Sequence, residues 1–348
     1  PTRRSDRKGA MVATPPPELA ELFDIVLGYQ RSQAVMVAAE LGVPDLLRDG
    51  PRPVEELASA TGAHGPALYR LLRALAAIGV VHEDEQRRFS LTPMGEYLRR
   101  DHPLSADPVA RMYCADYEWR AWGELLYGVR TGGSPALRAL GTDVWEYRRR
   151  HRDQGRVFDA AMRTLSRLIA AGLLKVYSFD EHRLVADIGG GTGAVLAAVL
   201  SAYPTLEGIL FDQPHVVADA GPVLGEAGVQ DRVAVVPGDF FAEVPTGADA
   251  YLMVRVLHDW TDDDAVRILR CVRAAMRADA RLLILDAVLG PPNEDAQSKF
   301  LDLMMLVSAG GRERERREWD ALLSQSGLRL VRSTPATPTC HVIEAVPA

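Results

Sequence analysis

The apolar positions along the chain change their period several times, and each change marks an element. Over residues 18–40 they recur at Leu19, Leu22, Phe23, Val26 and Leu27, then at Val35, Val37 and Ala38. That is the spacing of one helix face. Gly42-Val43-Pro44 ends the run, a short helix follows over 54–60, and Pro66 opens another with Leu68, Leu71, Leu72, Leu75 and Ile78 on one side. Val80-Val81 and Phe89-Ser90-Leu91, joined by an acidic turn at Glu83-Asp84-Glu85, predict a hairpin, after which Thr92-Pro93 caps a helix running towards Leu98. Helix, turn, helix and hairpin make the outline of a winged helix.

Beyond residue 183 the pattern becomes short, unbroken apolar runs alternating with helical periods. Strands are expected at 184–188, 208–211, 232–236, 249–254, 280–288, 328–332 and 341–346, with helices at 194–203, 261–276, 296–307 and 319–326. Seven strands with intervening helices predict a Rossmann-like α/β domain with a mostly parallel sheet. Between the two regions, residues 103–183 read as helical and gather Met112, Tyr113, Tyr117, Trp119, Trp122, Tyr127, Trp145, Phe158 and Met162. Each of these fits ordinary core packing, yet flat rings and flexible thioethers together suit a pocket for a small aromatic molecule. Arg148-Arg149-Arg150 reads as a solvated helix face.

The chemistry concentrates where the first strand meets glycine, at Asp187-Ile188-Gly189-Gly190-Gly191-Thr192-Gly193. Strand, glycine turn and helix form a nucleotide-binding unit, and Gly189-x-Gly191-x-x-Ala194 alone does not choose between cofactors. Asp187 helps to choose. A carboxylate just before the turn opposes a pyrophosphate, whereas it suits S-adenosylmethionine, which carries an ammonium and a sulfonium. Asp212 ends the second strand, where a carboxylate holds a ribose diol; the plainer reading is a helix N-cap before Gln213-Pro214. Asp239 and Phe240, after the third strand, are candidates for the adenine, or Asp239 simply forms a turn. His258 stands beyond the fourth strand, over the cleft, as the candidate base. Asp286 and Glu313 are possible orienters of its imidazole, although Glu313 lies in an alternating charge run that reads as surface.

Composition narrows the rest. The chain has 348 residues, 47% hydrophobic and 25% charged, as in globular proteins. No apolar run is long enough to span a membrane. Residues 1–16 read as a disordered or expression-derived extension, with Met11 as a natural start and no signal peptide. A net charge of −7 and an acidic wing tip argue against nucleic acid as a partner. Three distant cysteines form neither a disulfide framework nor a metal pattern, so no metal is expected and a reducing cytoplasm fits.

Taken in order, the motifs resemble the O-methyltransferases that join a winged-helix dimerisation domain to an adenosylmethionine domain, the family of caffeate, hydroxyindole and bacterial polyketide O-methyltransferases. The resemblance runs from about Glu18 onward. It rests on the glycine motif with Phe211-Asp212-Gln213-Pro214, Gly238-Asp239-Phe240-Phe241, Leu257-His258-Asp259-Trp260, Asp302-Leu303-Met304-Met305-Leu306 and Gly310-Gly311-Arg312-Glu313-Arg314. It implies a homodimer with a dimerisation domain at 17–102, a helical linker at 103–183 contributing to the substrate pocket, and a catalytic domain at 184–348. The expected cofactor-binding set is Asp187, Gly189, Gly191, Asp212, Gln213, Asp239, Phe240 and Arg255. His258 is the expected base, flanked by Asp286 and Glu313. Trp119, Trp145, Phe158, Met162, Asp259 and Met305 are expected to border the substrate. Arg255 and Gln213 depart from the plant pattern, which has an aromatic and an aliphatic residue there. The expected reaction is methylation of a phenolic or polyketide-type hydroxyl; the alternative is a relative that keeps the cofactor without transferring methyl.

Overall fold

The computed structural model describes residues 15–348. The expected N-terminal extension, with Met11, lies outside the described residues except for 15 and 16. The chain forms two compact units that part between His102 and Pro103.

In the first unit the single helix expected over 18–40 is two, Pro17–Val26 and Gly28–Glu40. The break falls at Leu27, ahead of Gly28, a poor helix former. The first of these helices buries no residue: Leu22, Phe23, Ile25 and Val26 are all more than half exposed. Helix Gly65–Ala77 instead turns Leu68, Leu72 and Leu75 inward. The hairpin pairs Val81–Glu83 with Arg88–Leu91, and Arg52–Pro53 adds a third strand too short to show a period. Thr92 caps the next helix by accepting the Gly95 amide at 3.1 Å.

The second unit is built on a seven-stranded sheet. Its strands are β1 (Leu184–Ile188), β2 (Glu207–Asp212), β3 (Val233–Pro237), β4 (Ala250–Val254), β5 (Arg281–Asp286), β6 (Leu328–Thr337) and β7 (Cys340–Pro347). The spatial order is β6-β7-β5-β4-β1-β2-β3, parallel from β5 to β3, with β7 antiparallel to both of its neighbours. The order reverses between β1 and β4, so the two chain ends that matter most, those after Ile188 and Val254, open side by side on one edge.

Five helices bear on the site: α1 (Arg152–Val176), α2 (Ala194–Ala202), α3 (Asp262–Ala275), α4 (Ala296–Ser308) and α5 (Arg316–Gln325). One face of the sheet packs on Ile169 and Leu173 of α1 and Leu196, Val199 and Leu200 of α2. The other packs on Ile268, Leu269 and Val272 of α3 and Trp319, Leu322 and Leu323 of α5. Cover on both faces is why β1, β4 and β5 read as unbroken apolar runs rather than alternating ones. The helices of 103–183, set apart in the sequence reading, belong to this same unit. The fifth strand is shorter than expected. After Ala287 the chain makes a separate short strand, Val288–Leu289, which pairs in parallel with Arg314–Glu315 inside the charge run.

Candidate active site

Each end of the sheet edge presents acids, beginning with the glycine turn. Gly189 takes a φ of +70°, and a Cβ there would lie 2.8 Å from Val256 and 3.6 Å from the Phe240 ring. Only glycine both allows that backbone and leaves that space. Asp212 is not a helix cap: Gln213 holds the cap position of the next helix, and the Asp212 carboxylate accepts the Gly191 amide at 2.8 Å and the Gln213 amide at 2.6 Å. Asp239 does make a turn, accepting the Phe241 amide at 2.9 Å. Phe240 packs edge-to-face on Phe241 and Trp260, with centroids 5.2 and 5.9 Å away. Asp187 is the unusual member. It is 1% exposed, and neither carboxylate oxygen has a well-formed hydrogen bond among the described residues. Burial, then the Asp212 charge, push its pKa up to about 7 against the pull of the Leu196 amide. A buried, weakly bonded acid beside an open glycine turn fits a cofactor that brings its own positive charge.

A cleft of about 730 Å³ lies beside this turn, between α1, α2 and residues 219–227. Thr192, Ala194, Arg156, Asp159, Arg163 and Asp219 line it, and Asp187, Gly189, Gly191, Asp212, Asp239 and Phe240 do not. None of the residues around His258 lines it.

His258 sits on a single helical turn, Leu257–Asp259, just past β4. Glu313 accepts from His258 Nδ1 at 2.8 Å, while Asp286 Oδ1 stands 3.8 Å from the same nitrogen. Nε2 is left facing Asp259, at 3.7 Å. The turn is held from behind by residues 310–315. The Arg312 amide donates to the His258 carbonyl at 2.8 Å, and a Cβ on Gly311 would meet that carbonyl at 2.0 Å. Arg314, fully buried, donates to the carbonyls of Leu257 (2.9 Å) and Trp260 (3.0 Å) and to Asp262 (2.9 Å). Asp302 of α4 accepts the Glu313 amide at 2.8 Å.

Burial pulls the imidazole pKa down, but the carboxylates of Asp259, Asp286 and Glu313 together outweigh it, raising His258 to about 9. Burial and then the Glu313 charge lift Asp286 to about 7, against the opposing pull of His258. Burial works against the Glu313 charge, yet the His258 hydrogen bond and the nearby cations hold that carboxyl below its usual range. His258, Asp286 and Glu313 offer donor atoms within 4.8 Å of one another. The charges of Arg255 and Arg314 already act on both carboxylates. An imidazole with carboxylates on one of its nitrogens is an arrangement that can accept and hold a proton.

The wall facing this cluster is aromatic. Trp145 and Phe158 meet edge-on at 5.7 Å, and the Arg148 guanidinium lies 3.8 Å over the Phe158 ring. Arg148 is not solvated as expected: its side chain is 10% exposed, paired with buried Glu118 at 3.0 Å and bonded to the Tyr117 hydroxyl. Its neighbours Arg149 and Arg150 do face solvent. The Arg148 charge is felt at Asp259, which ties this wall to the base.

Residues 122–329 match the O-methyltransferase domain, and residues 23–101 match the O-methyltransferase dimerisation domain. The chain belongs to this family. A phenazine O-methyltransferase of Lysobacter antibioticus is 42% identical over 94% of this chain and 95% of its own. A mitomycin biosynthesis 6-O-methyltransferase of Streptomyces lavendulae is 43% identical over 90% and 89%. Among solved structures, the calicheamicin-biosynthesis methyltransferase, in its SAH-bound form, superposes with a TM-score of 0.84 at 35% identity, over 97% of this chain and all of its own. The protein is an S-adenosylmethionine-dependent O-methyltransferase.

The methyltransferase fold brings most of the expected residues together and moves some. Asp187, Gly189, Gly191, Asp212 and Phe240 surround one turn. The Arg255 side chain, expected in the cofactor set, is hydrogen-bonded to Glu313 beside His258, at 3.3 Å. Gln213 is exposed, with its backbone on Asp212. Glu313, which the charge run had suggested was surface, is fully buried. Met305 is 5% exposed on α4 and Met162 is half-buried, whereas Trp119 and Trp145 are 37% and 48% exposed. Sequence reasoning missed Glu118 and Arg314. Glu118 lies thirty residues from Arg148, and no local pattern connects them. Arg314 looked like one more charge in a run of them.

Proposed function

We propose that this methyltransferase acts as a homodimer on a phenolic or polyketide-type hydroxyl of a small aromatic natural product, with His258 as the general base. The observation that carries the reading is a buried imidazole whose Nδ1 is fixed by Glu313 at 2.8 Å, leaving Nε2 to face Asp259, at 3.7 Å, without a hydrogen bond among the described residues. The phenazine named in one relative is the kind of flat acceptor that the Trp145 and Phe158 rings suit. The bared apolar face of Leu22, Phe23, Ile25 and Val26 gives a second copy something to cover.

S-adenosylmethionine, when bound, supplies an electrophilic methyl on its sulfonium. Asp212 would hold the ribose, Asp239 and Phe240 the adenine, and Asp187 would face the positive end. The arginines of α1 around Thr192 would balance the cofactor's carboxylate. His258 takes the acceptor's hydroxyl proton on Nε2, and Asp286 and Glu313 stabilise the imidazolium that results. An unperturbed imidazole is more than three pH units weaker as a base than a phenolate. Raised to about 9, His258 comes within roughly one unit of a phenol, so proton transfer is nearly matched.

Incubation with methyl-labelled S-adenosylmethionine and a panel of hydroxyphenazines, hydroxynaphthoates and simple phenols tests this reading. Label should appear in an aryl ether. Conversion of every acceptor without label would support the non-methylating alternative instead.

A further inference from the structure

Arg255 follows β4 with a φ of +55°, a left-handed backbone that a residue bearing a Cβ enters only at a cost. From there its guanidinium donates to Glu313 Oε1 at 3.3 Å, and to the Thr339 carbonyl and hydroxyl at 2.9 and 3.3 Å. Thr339 lies in the turn that joins β6 to β7. One carboxylate oxygen, Glu313 Oε1, therefore receives both the His258 ring and Arg255. We infer that Arg255 is a positioning residue for the base: it fixes Glu313 behind His258 and loosens the imidazole's grip on its proton. The inference rests on His258 being the base.

The charges around His258 explain why such a residue is needed. Asp259 lies on its own turn, Asp286 at the end of β5, and Glu313 on the segment behind it. Three carboxylates around one imidazole shrink the fraction that is free of its proton at neutral pH. Arg314 is the other cation of the cluster, and its donors are already directed at Asp262 and two backbone carbonyls. Asp302 holds the Glu313 backbone, Arg148 faces Asp259, and the Cys340 thiol of β7 feels Arg255, Asp286 and Glu313. Among the described residues that act on the imidazole through Glu313, Arg255 reaches the shared oxygen with a charge that does not titrate.

The test is a pH titration by NMR of the protein with carbon-labelled histidine, using His258→Ala to assign the resonance. It needs no acceptor and does not depend on turnover. In wild type the His258 midpoint should lie above the ordinary 6.5. In Arg255→Gln it should move up by about one further unit, because the cluster has lost a cation. Arg255→Lys, with the charge kept, should return it close to wild type. A midpoint in Arg255→Gln equal to wild type, with only the melting temperature lowered, would reduce Arg255 to a tie for the β6–β7 turn. An unmoved midpoint with tenfold weaker S-adenosylhomocysteine binding by calorimetry would make it a cofactor ligand and overturn the inference. If Arg255→Gln does not fold, Arg255→Lys still decides: a midpoint displaced by a unit despite the retained charge contradicts the role. Should His258→Ala keep wild-type turnover, the base assignment fails on its own, whatever the titrations show.

Discussion

The glycine turn and the His258 cluster occupy the same edge of one sheet and bury acids among different neighbours. Asp187 is enclosed with no well-formed hydrogen bond and no cation beside it among the described residues, and its pKa rises to about 7. Glu313 is enclosed with the His258 ring and the Arg255 guanidinium on one of its oxygens and is held below its usual range. Asp286, like Asp187, lacks a well-formed hydrogen bond among the described residues, and burial lifts it to about 7, although His258 and the charges of Arg255 and Arg314 pull it down. Burial alone is nearly the same, so neighbours decide the chemistry. A site lacking its own cation is suited to a ligand that carries one. A site with cations of its own is suited to trading a proton.

That contrast predicts a clean separation of binding from turnover. His258→Ala should lower turnover by roughly 10²–10⁴-fold and leave S-adenosylhomocysteine affinity within about twofold, read by steady-state kinetics and calorimetry. Equal losses in both would erase the distinction between the two regions. Arg314→Ala should be the most damaging change to stability. It leaves the Leu257 and Trp260 carbonyls without their donor, at a cost of about 1–3 kcal/mol for each in chemical denaturation, while half-exposed Asp262 keeps Arg312. On the other side, Asp212→Ala should weaken S-adenosylhomocysteine binding about ten- to a hundredfold, and unchanged affinity by calorimetry would take Asp212 out of the site.

The sheet was legible because burial on both faces writes itself as continuous apolar runs, and β1, β4 and β5 show it. The glycine turn was legible because its function is local: Asp187, Gly189 and Gly191 lie within five residues. The base cluster was less so, since Glu313 comes to His258 from fifty-five residues away and its burial depends on Arg314 beside it. Alternating charge usually marks a solvated face, and here it marks a buried clamp. Arg148 failed for the same reason. A run of three arginines hid the one whose partner, Glu118, the fold supplies.

The smallest expected effects are in the pH dependence of stability, and they fall in different windows. Asp187 loses its proton near pH 4 when unfolded and near 7 when folded, so its contribution falls as pH rises from about 4 to about 7. Asp187→Asn should flatten that decline, leaving the part due to Asp286. The His258 contribution is full below 6.5 and is lost as pH rises through about 9. Urea midpoints measured from pH 4 to 9.5 should show the two variants, Asp187→Asn and His258→Gln, altering separate limbs. A single limb altered by both would mean that the two regions titrate as one.

The central claim is that His258 accepts the acceptor's proton at a basicity raised by its carboxylates, and the pH dependence of single-turnover methyl transfer tests it most directly. At neutral pH about one imidazole in a hundred is free of its proton if its pKa is about 9. The wild-type rate should therefore climb tenfold per pH unit from 7 and level off near 9. In His258→Ala that limb should give way to one set by the acceptor's own ionisation, moving when acceptors of different acidity are compared. A wild-type limb levelling near 6.5, or one that survives unchanged in His258→Ala, would contradict the account.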